Sequence, residues 1–294
     1  MTFRKRREAL RLILTGSTCI RPGSVYDAIS IRIAQDLGFE LGMFGGSVAS
    51  LAVLGDPDIA LITLTELAEQ MRRMSRAASL PVLVDADHGY GNALNVRRTI
   101  EELEISGAAG LTIEDTLLPQ AFGQTATQLI SLEEGVGKMK AALDARGDLA
   151  LVIMARTGAV SISGLDDAIA RAIAYEGTGV DALFFTGIKT RAEIEAIAAA
   201  TKLPIVLGGL PEDMTDLDYL ANQRVRIALQ GHAPFAAATL AVYETLKALR
   251  DGTSPKDLRG LAPAELTGRV TRDAAMKARS AEFLGLKNLG SRNK

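Results

Sequence analysis

Pro81-Val82-Leu83-Val84-Asp85-Ala86-Asp87-His88-Gly89-Tyr90-Gly91 is the stretch that decides the fold. Val82, Leu83 and Val84 follow one another without polar alternation, then run into an acid and a glycine-punctuated turn. A strand with no polar face is buried on both sides, which implies a parallel sheet covered by crossover helices. Seven further runs share this character: Thr18 to Arg21, Leu41 to Gly45, Gly110 to Ile113, Leu149 to Ala155, Ala182 to Thr186, Pro204 to Leu207 and Val225 to Leu229. Between them, apolar residues recur at i, i+3, i+4 over Tyr26 to Leu37, Leu64 to Ala78, Asn95 to Ser106, Glu133 to Ala145, Leu165 to Glu176, Arg191 to Ala200 and Pro234 to Leu249, the spacing of amphipathic helices.

Eight such units in roughly 250 residues match a (β/α)8 TIM-type barrel. A doubly wound open sheet is the competing α/β architecture, but it needs a glycine fingerprint after its first strand. The nearest candidate, Gly89-Tyr90-Gly91-Asn92-Ala93-Leu94, follows the third strand and ends in leucine. Gly135-Val136-Gly137-Lys138 is equally poor as a phosphate loop, since Met139 follows the lysine, and it reads as helix interior. The expected organisation is a barrel over residues 1–250 and a helical extension over 251–294. The extension opens with the breaker cluster Asp251 to Asp257, regains helical periodicity over Ala262 to Leu284 and ends in a solvated tail, Lys287 to Lys294.

Composition narrows the function. The 294 residues carry 33 Lys plus Arg against 35 Asp plus Glu, a net charge of −2, which argues against nucleic acid as a partner. Aromatics make up 4% and tryptophan is absent, so the core must come from aliphatic residues packed closely between strands and helices. The single cysteine, Cys19, can form neither an intramolecular disulfide nor a thiolate metal site, which points to a reducing, cytoplasmic setting. No apolar run approaches the ~20 residues of a membrane span. Arg4 to Arg7 followed by Leu10 to Leu14 imitates a targeting segment, yet Arg11 interrupts the apolar stretch, and an amphipathic first helix is expected instead.

Barrel enzymes carry their chemistry at the C-terminal ends of strands, so the residues that close each apolar run are the candidates. They are Gly45-Gly46-Ser47, Asp85-Ala86-Asp87-His88, Glu114-Asp115, Arg156-Thr157, Thr186 and Gln230-Gly231-His232. Asp85, Asp87 and Glu114 form an all-oxygen set suited to Mg²⁺, with Mn²⁺ as a substitute. Strand alternation places Asp85 and Asp87 on one face and turns His88 away. The bland alternative for these acids is helix capping or pairing with Arg97 or Arg98. Arg156, ending a very apolar strand, suits bidentate capture of a carboxylate or phosphate, with an ion pair to a barrel acid as the structural alternative. His232 can bind substrate or move a proton, or be a satisfied rim histidine. The Gly45-Gly46-Ser47 turn offers backbone N–H groups to an anion, or is simply a tight turn.

These residues, in this order and spacing, resemble the isocitrate lyase/phosphoenolpyruvate mutase superfamily, most of all its Mg²⁺-dependent oxaloacetate decarboxylase branch. The likeness runs from Val25 to Tyr243 and rests on Val25-Tyr26-Asp27-Ala28, Gly45 to Ser50, Asp-x-Asp-x-Gly-Tyr-Gly at 85–91, Thr112-Ile113-Glu114-Asp115, Ala155-Arg156-Thr157 and Gly231-His232-Ala233. It implies that Asp85 holds Mg²⁺, that Asp87 and Glu114 act through metal-bound waters, and that Ser47, Arg156 and His232 contact the substrate. Asp58 matches a loop acid that closes over the site in relatives. It further implies C-terminal helices swapped between neighbours in a homotetramer built as a dimer of dimers.

The departures separate branches. The superfamily's C–C lyases carry a catalytic cysteine on the loop after strand four, where this chain reads Leu117-Leu118-Pro119-Gln120-Ala121-Phe122-Gly123-Gln124. Without that thiol, cleavage of isocitrate or methylisocitrate is disfavoured. Thr157-Gly158-Ala159 and Gly208-Gly209 stand where relatives have larger or more polar residues, which leaves the substrate open. The expected activity is decarboxylation of oxaloacetate or a similar 2-oxo dicarboxylate. A lyase acting on a substituted malate, an enzyme of phosphoenolpyruvate or phosphonates, and a non-catalytic binding barrel are the alternatives.

Overall fold

The computed structural model describes residues 2–285; the tail expected over Lys287 to Lys294 lies outside the described residues. Eight parallel strands lie side by side in chain order. They are β1 (Gly23–Ser24), β2 (Gly42–Phe44), β3 (Val82–Asp85), β4 (Gly110–Glu114), β5 (Val152–Thr157), β6 (Ala182–Thr186), β7 (Ile205–Gly208) and β8 (Val225–Ala228). The helices preceding β5 are α1 (Phe3–Thr15), α2 (Ala28–Asp36), α3 (Gly46–Val53), α4 (Leu64–Ala77), α5 (Ala93–Ser106) and α6 (Leu132–Ala145). Those following it are α7 (Ala159–Ile162), α8 (Leu165–Glu176), α9 (Arg191–Ala200), α10 (Leu217–Asn222), α11 (Ala233–Arg250), α12 (Ala264–Thr271) and α13 (Asp273–Leu284). The α/β barrel inferred from the sequence is the observed architecture.

The first strand differs from expectation. Pro22 has no amide hydrogen to give a ladder and divides the segment. Ile20 pairs with β8, its N–H donating to the Arg226 carbonyl at 2.9 Å and its carbonyl accepting from Ala228 at 2.9 Å, while Gly23 and Ser24 pair with β2. The sheet is joined end to end by these bonds. The remaining strands fall within a few residues of their apolar runs. The largest shift is in β5, which begins at Val152 and continues through Arg156, so that this arginine sits inside the sheet opposite Glu114.

Helix starts are set by local chemistry. Asp27 with Ser30, Thr63 with Glu66, Asn92 with Asn95 and Thr190 with Glu193 each form a capping box that satisfies the first amides of α2, α4, α5 and α9. The Gly45-Gly46-Ser47 turn proves to be the entry to α3, with Gly45 as its cap residue.

The barrel interior is filled by Met43, Leu83, Val152, Met154, Ala182, Phe184, Val206 and Ile227. Leu10 and Leu14 of α1 join this cluster from the N-terminal end. Gly110 is bare where α1 enters, since a Cβ there would lie 2.7 Å from Leu10 and 2.9 Å from Val152. The helix is fastened by its arginines. Arg7 reaches Asp148 at 2.9 Å and the Ala108 and Glu104 carbonyls, and Arg11 reaches Asp181 at 2.9 Å and the Ala150 and Leu151 carbonyls. The amphipathic first helix is therefore a plug for the bottom of the barrel.

The chain divides into two compact units between Ala233 and Pro234, whereas the breaker cluster Asp251 to Asp257 sets the expected boundary at 250. In the second unit, α11 exposes Leu240, Val242, Tyr243, Leu246 and Leu249. The periodic stretch Ala262 to Leu284 is two helices, because Arg272 adopts a left-handed conformation (φ 61°) that ends α12 and begins α13. Among the described residues no helix is long and apolar enough to cross a membrane.

Candidate active site

Inward-facing positions recur every second residue along a strand, so the columns that fill the barrel continue to its C-terminal rim. Leu83 is followed two residues on by Asp85, Met154 by Arg156 and Phe184 by Thr186. Apolar packing thus gives way to charge along the same columns. At this rim lies a cavity of about 260 Å³, lined by Ser24, Ser47, Asp58, Asp85, Arg156 and His232 among others. Phe184 forms part of its floor, with the Arg156 guanidinium 5.3 Å above the ring centroid.

Arg156 is the hub. Its Nη1 donates to Asp85 Oδ2, and its Nε lies 3.3 Å from Glu114 Oε2. Burial opposes the Arg156 charge, but the carboxylates of Asp85 and Glu114 outweigh it and hold the guanidinium firmly protonated. Asp85 Oδ1 accepts from Thr112 Oγ1 at 3.0 Å, from the β4 position that shares a face with Glu114. Ser47, in the first turn of α3, and Asp58, on the exposed loop that follows, come from the β2 side of the mouth. His232 follows β8 and is held by Ser24 of β1, with Ser24 Oγ 2.8 Å from its Nδ1.

Asp87 and Glu114 are buried behind the cavity wall and do not line it. Asp87 arrives there by a route other than strand alternation. The strand ends at Asp85, and Asp87 (φ 46°) sits in a left-handed turn with Tyr90 (φ 61°), strain of the kind that gathers at functional sites. The turn is tied down by the Asp87 carbonyl, which accepts from Glu114 N at 2.8 Å. Gly46 makes room for it, because a Cβ there would stand 2.5 Å from Asp87 Oδ1. Desolvation, then the charges of Asp85, Glu114 and Asp58, push the Asp87 carboxyl well above the usual range; burial likewise raises Glu114. Burial and then Asp85 raise Asp58.

Three carboxylates meeting one guanidinium are short of positive charge. The donor atoms are all hard oxygens, which fits a divalent cation of the Mg²⁺ type. Among the described residues no three His, Cys, Asp or Glu side chains stand together as a direct ligand set. The arrangement therefore fits an ion held by one or two carboxylates and otherwise by water, which is how Mg²⁺ is usually bound.

Three supporting residues are not singled out in the sequence. Ser24, within Pro22-Gly23-Ser24, resembles a loop; Thr112, though it opens the motif at 112–115, looks like an ordinary strand residue. Lys138, dismissed with its glycine-rich neighbours, is buried in α6 and donates from Nζ to the His88 carbonyl at 2.9 Å, bracing the acidic turn from behind. His88 itself is buried outside the cavity, and desolvation followed by Lys138 lowers its pKa to about 4. Asp115 points away from Glu114, accepting from Tyr175 OH at 2.7 Å and Arg171 Nη1 at 3.0 Å.

The profile of the phosphoenolpyruvate phosphomutase family matches residues 11–250. The chain belongs to this family. As a phosphoenolpyruvate phosphomutase family member it is an enzyme of the isocitrate lyase/phosphoenolpyruvate mutase superfamily, as the motifs at 85–91 and 112–115 implied. It is 77% identical to an oxaloacetate decarboxylase of Bradyrhizobium sp. (strain ORS 278), over 97% of this chain and 99% of that one. Among solved structures it is similar to oxaloacetate acetylhydrolase in complex with 3,3-difluorooxalacetate, with 27% identity, a TM-score of 0.84, and 97% and 99% of the two chains covered. It is also similar to phosphonopyruvate hydrolase in complex with oxalate and Mg²⁺, with 29% identity, a TM-score of 0.83, and 95% and 99% covered.

Proposed function

We propose that this chain decarboxylates oxaloacetate to pyruvate and CO₂. The observation that carries the proposal is a small rim cavity furnished with Arg156, Ser47 and His232 but with no thiol, in a chain 77% identical to an oxaloacetate decarboxylase. Decarboxylation needs no covalent nucleophile. The C3–C4 bond breaks, its electron pair passes into the enolate, and a proton added at C3 completes pyruvate.

Arg156 would orient the substrate through a carboxylate, since its guanidinium lines the cavity and is held charged by Asp85 and Glu114. The amides of the first turn of α3, next to Ser47, offer a second anion contact, supported by the positive end of the helix. Asp85 would hold Mg²⁺, with Asp87 and Glu114 reaching it through water. When bound, that ion supplies positive charge against the developing enolate. His232, kept neutral by burial, would donate a hydrogen bond to the substrate, and the proton for C3 would come from water. Asp58 would close the cavity at its open side. A cytoplasmic enzyme is consistent with the free, buried Cys19, and a helix-swapped homotetramer with the apolar surface of α11.

Pyruvate formation from oxaloacetate, corrected for spontaneous decay, tests the proposal on wild type with and without EDTA and on Asp85→Ala. Activity confined to the metal-replete wild type is expected, and equal rates in all three would overturn it. Oxalate in place of pyruvate would instead assign the hydrolytic chemistry of oxaloacetate acetylhydrolase, whose product is oxalate. The loop Leu117 to Gln124, without cysteine or histidine, argues against the C–C lyase alternative.

A further inference from the structure

We infer that Ser24 is a positioning residue that fixes the tautomer of His232, so that the Nε2–H bond faces the cavity as a hydrogen-bond donor. The contact joins β1 to the segment after β8, with Ser24 Oγ 2.8 Å from Nδ1. With Nδ1 engaged, the nitrogen left for the cavity is Nε2.

Two further observations locate that nitrogen. A Cβ on Gly45 would stand 2.7 Å from Nε2 and 2.8 Å from Cε1, so the end of β2 is bare where the outer edge of the ring lies. Asp58 and Asp85 line the same cavity as His232 and act on it electrostatically. A serine hydroxyl can donate or accept, so on its own it accommodates either tautomer. The Asp58 carboxylate, which lines the cavity and is not a metal ligand, breaks the tie. It favours a proton on the ring nitrogen turned toward the cavity, and the Ser24 hydroxyl then donates to the unprotonated Nδ1. Which nitrogen of a histidine carries the proton is generally set by the hydrogen bond made at the other.

The inference deepens the decarboxylase proposal and rests on it for the role of the donor: an Nε2–H can hydrogen-bond a substrate oxygen, whereas a bare Nε2 cannot. Holding the wrong tautomer can cost an enzyme as much as losing the imidazole altogether.

The chain has two histidines, His88 and His232, which makes the test tractable. In the full-length, untagged protein labelled with ¹⁵N-histidine, two-bond ¹H–¹⁵N correlations distinguish the Nε2–H and Nδ1–H forms, and the pattern absent from His232→Asn identifies His232. Wild type is expected to show Nε2–H at His232. Ser24→Ala should shift it toward a mixture with Nδ1–H and lower kcat for pyruvate formation roughly tenfold, within the range of a misplaced acid–base group. Ser24→Thr, which keeps the hydroxyl, should restore both. An Nδ1–H pattern in wild type, or an unchanged pattern in Ser24→Ala, would overturn the inference. Because the spectra do not depend on turnover, a wild type that makes no pyruvate would sink the functional proposal while the tautomer assignment is decided independently.

Discussion

The two ends of the barrel handle charge in opposite ways. At the N-terminal end, Arg7, Arg11 and Arg146 face Asp148 and Asp181, and their remaining N–H groups go to strand and loop carbonyls. Each of these three cations has an anion, and the result is adhesion between α1 and the strands. At the C-terminal end, Arg156 pairs with Asp85 and Glu114 while Asp87 is buried close by, and the Asp87 and Glu114 carboxyls are driven upward by burial and mutual repulsion. The same residue types therefore stabilise one end and strain the other, the division between stability and function that this fold repeatedly makes.

That contrast can be broken most forcefully at the two arginines. Arg156→Met should lower kcat/KM for oxaloacetate by roughly 10³-fold, the upper range for removing one preorganised charge donor. Arg7→Met should leave activity per folded molecule intact but lose about 3 kcal/mol of stability in urea unfolding, because it removes the buried guanidinium that joins Asp148 to the Ala108 and Glu104 carbonyls. An Arg7 variant with normal stability would show that the lower network is decorative. Gly110→Ala sharpens the steric side of the comparison. The added methyl has no space beside Leu10 and Val152, and a destabilisation of about 2 kcal/mol with unchanged KM is expected.

The smallest effects carry opposite signs. Asp87→Asn removes a carboxylate whose ionised form is penalised in the fold. A carboxyl raised in the folded state favours folding at low pH and loses that contribution as pH rises through its folded value, so at neutral pH the charge opposes folding. In EDTA the variant should unfold about 1 kcal/mol later than wild type, although activity is lost. Asp148→Asn at the other end should unfold about 1 kcal/mol earlier, since it weakens the Arg7 pair. If both substitutions shifted the unfolding midpoint in the same direction, the proposed asymmetry would fail.

Much of the upper rim was legible in the sequence because strand periodicity is simple. Once Pro81 to Ala86 and Leu149 to Ala155 are read as buried strands, Asp85 and Arg156 fall near their upper ends, although Arg156 lies one residue inside the sheet. Asp87 is expected to face the mouth by alternation, but alternation stops at Asp85 and a left-handed turn carries Asp87 behind the cavity wall. Ser24 and Lys138 were not legible, because each acts across the barrel on a residue more than forty positions away. Nothing local marks such a partner. The plug formed by α1 was half visible: its amphipathic pattern predicts a helix with one buried face, but not that the face enters the open end of a barrel. The break at Arg272 was hidden because a left-handed arginine leaves the apolar period on both sides nearly intact.

Because α1 enters the barrel from the end opposite the cavity, the N-terminal segment and the mouth point away from each other. A linker joined ahead of Thr2 would leave from the closed end, beside the exposed Arg4 and Phe3. Attached to a surface through such a linker, the chain would present its open rim outward, toward the solution that carries its substrate.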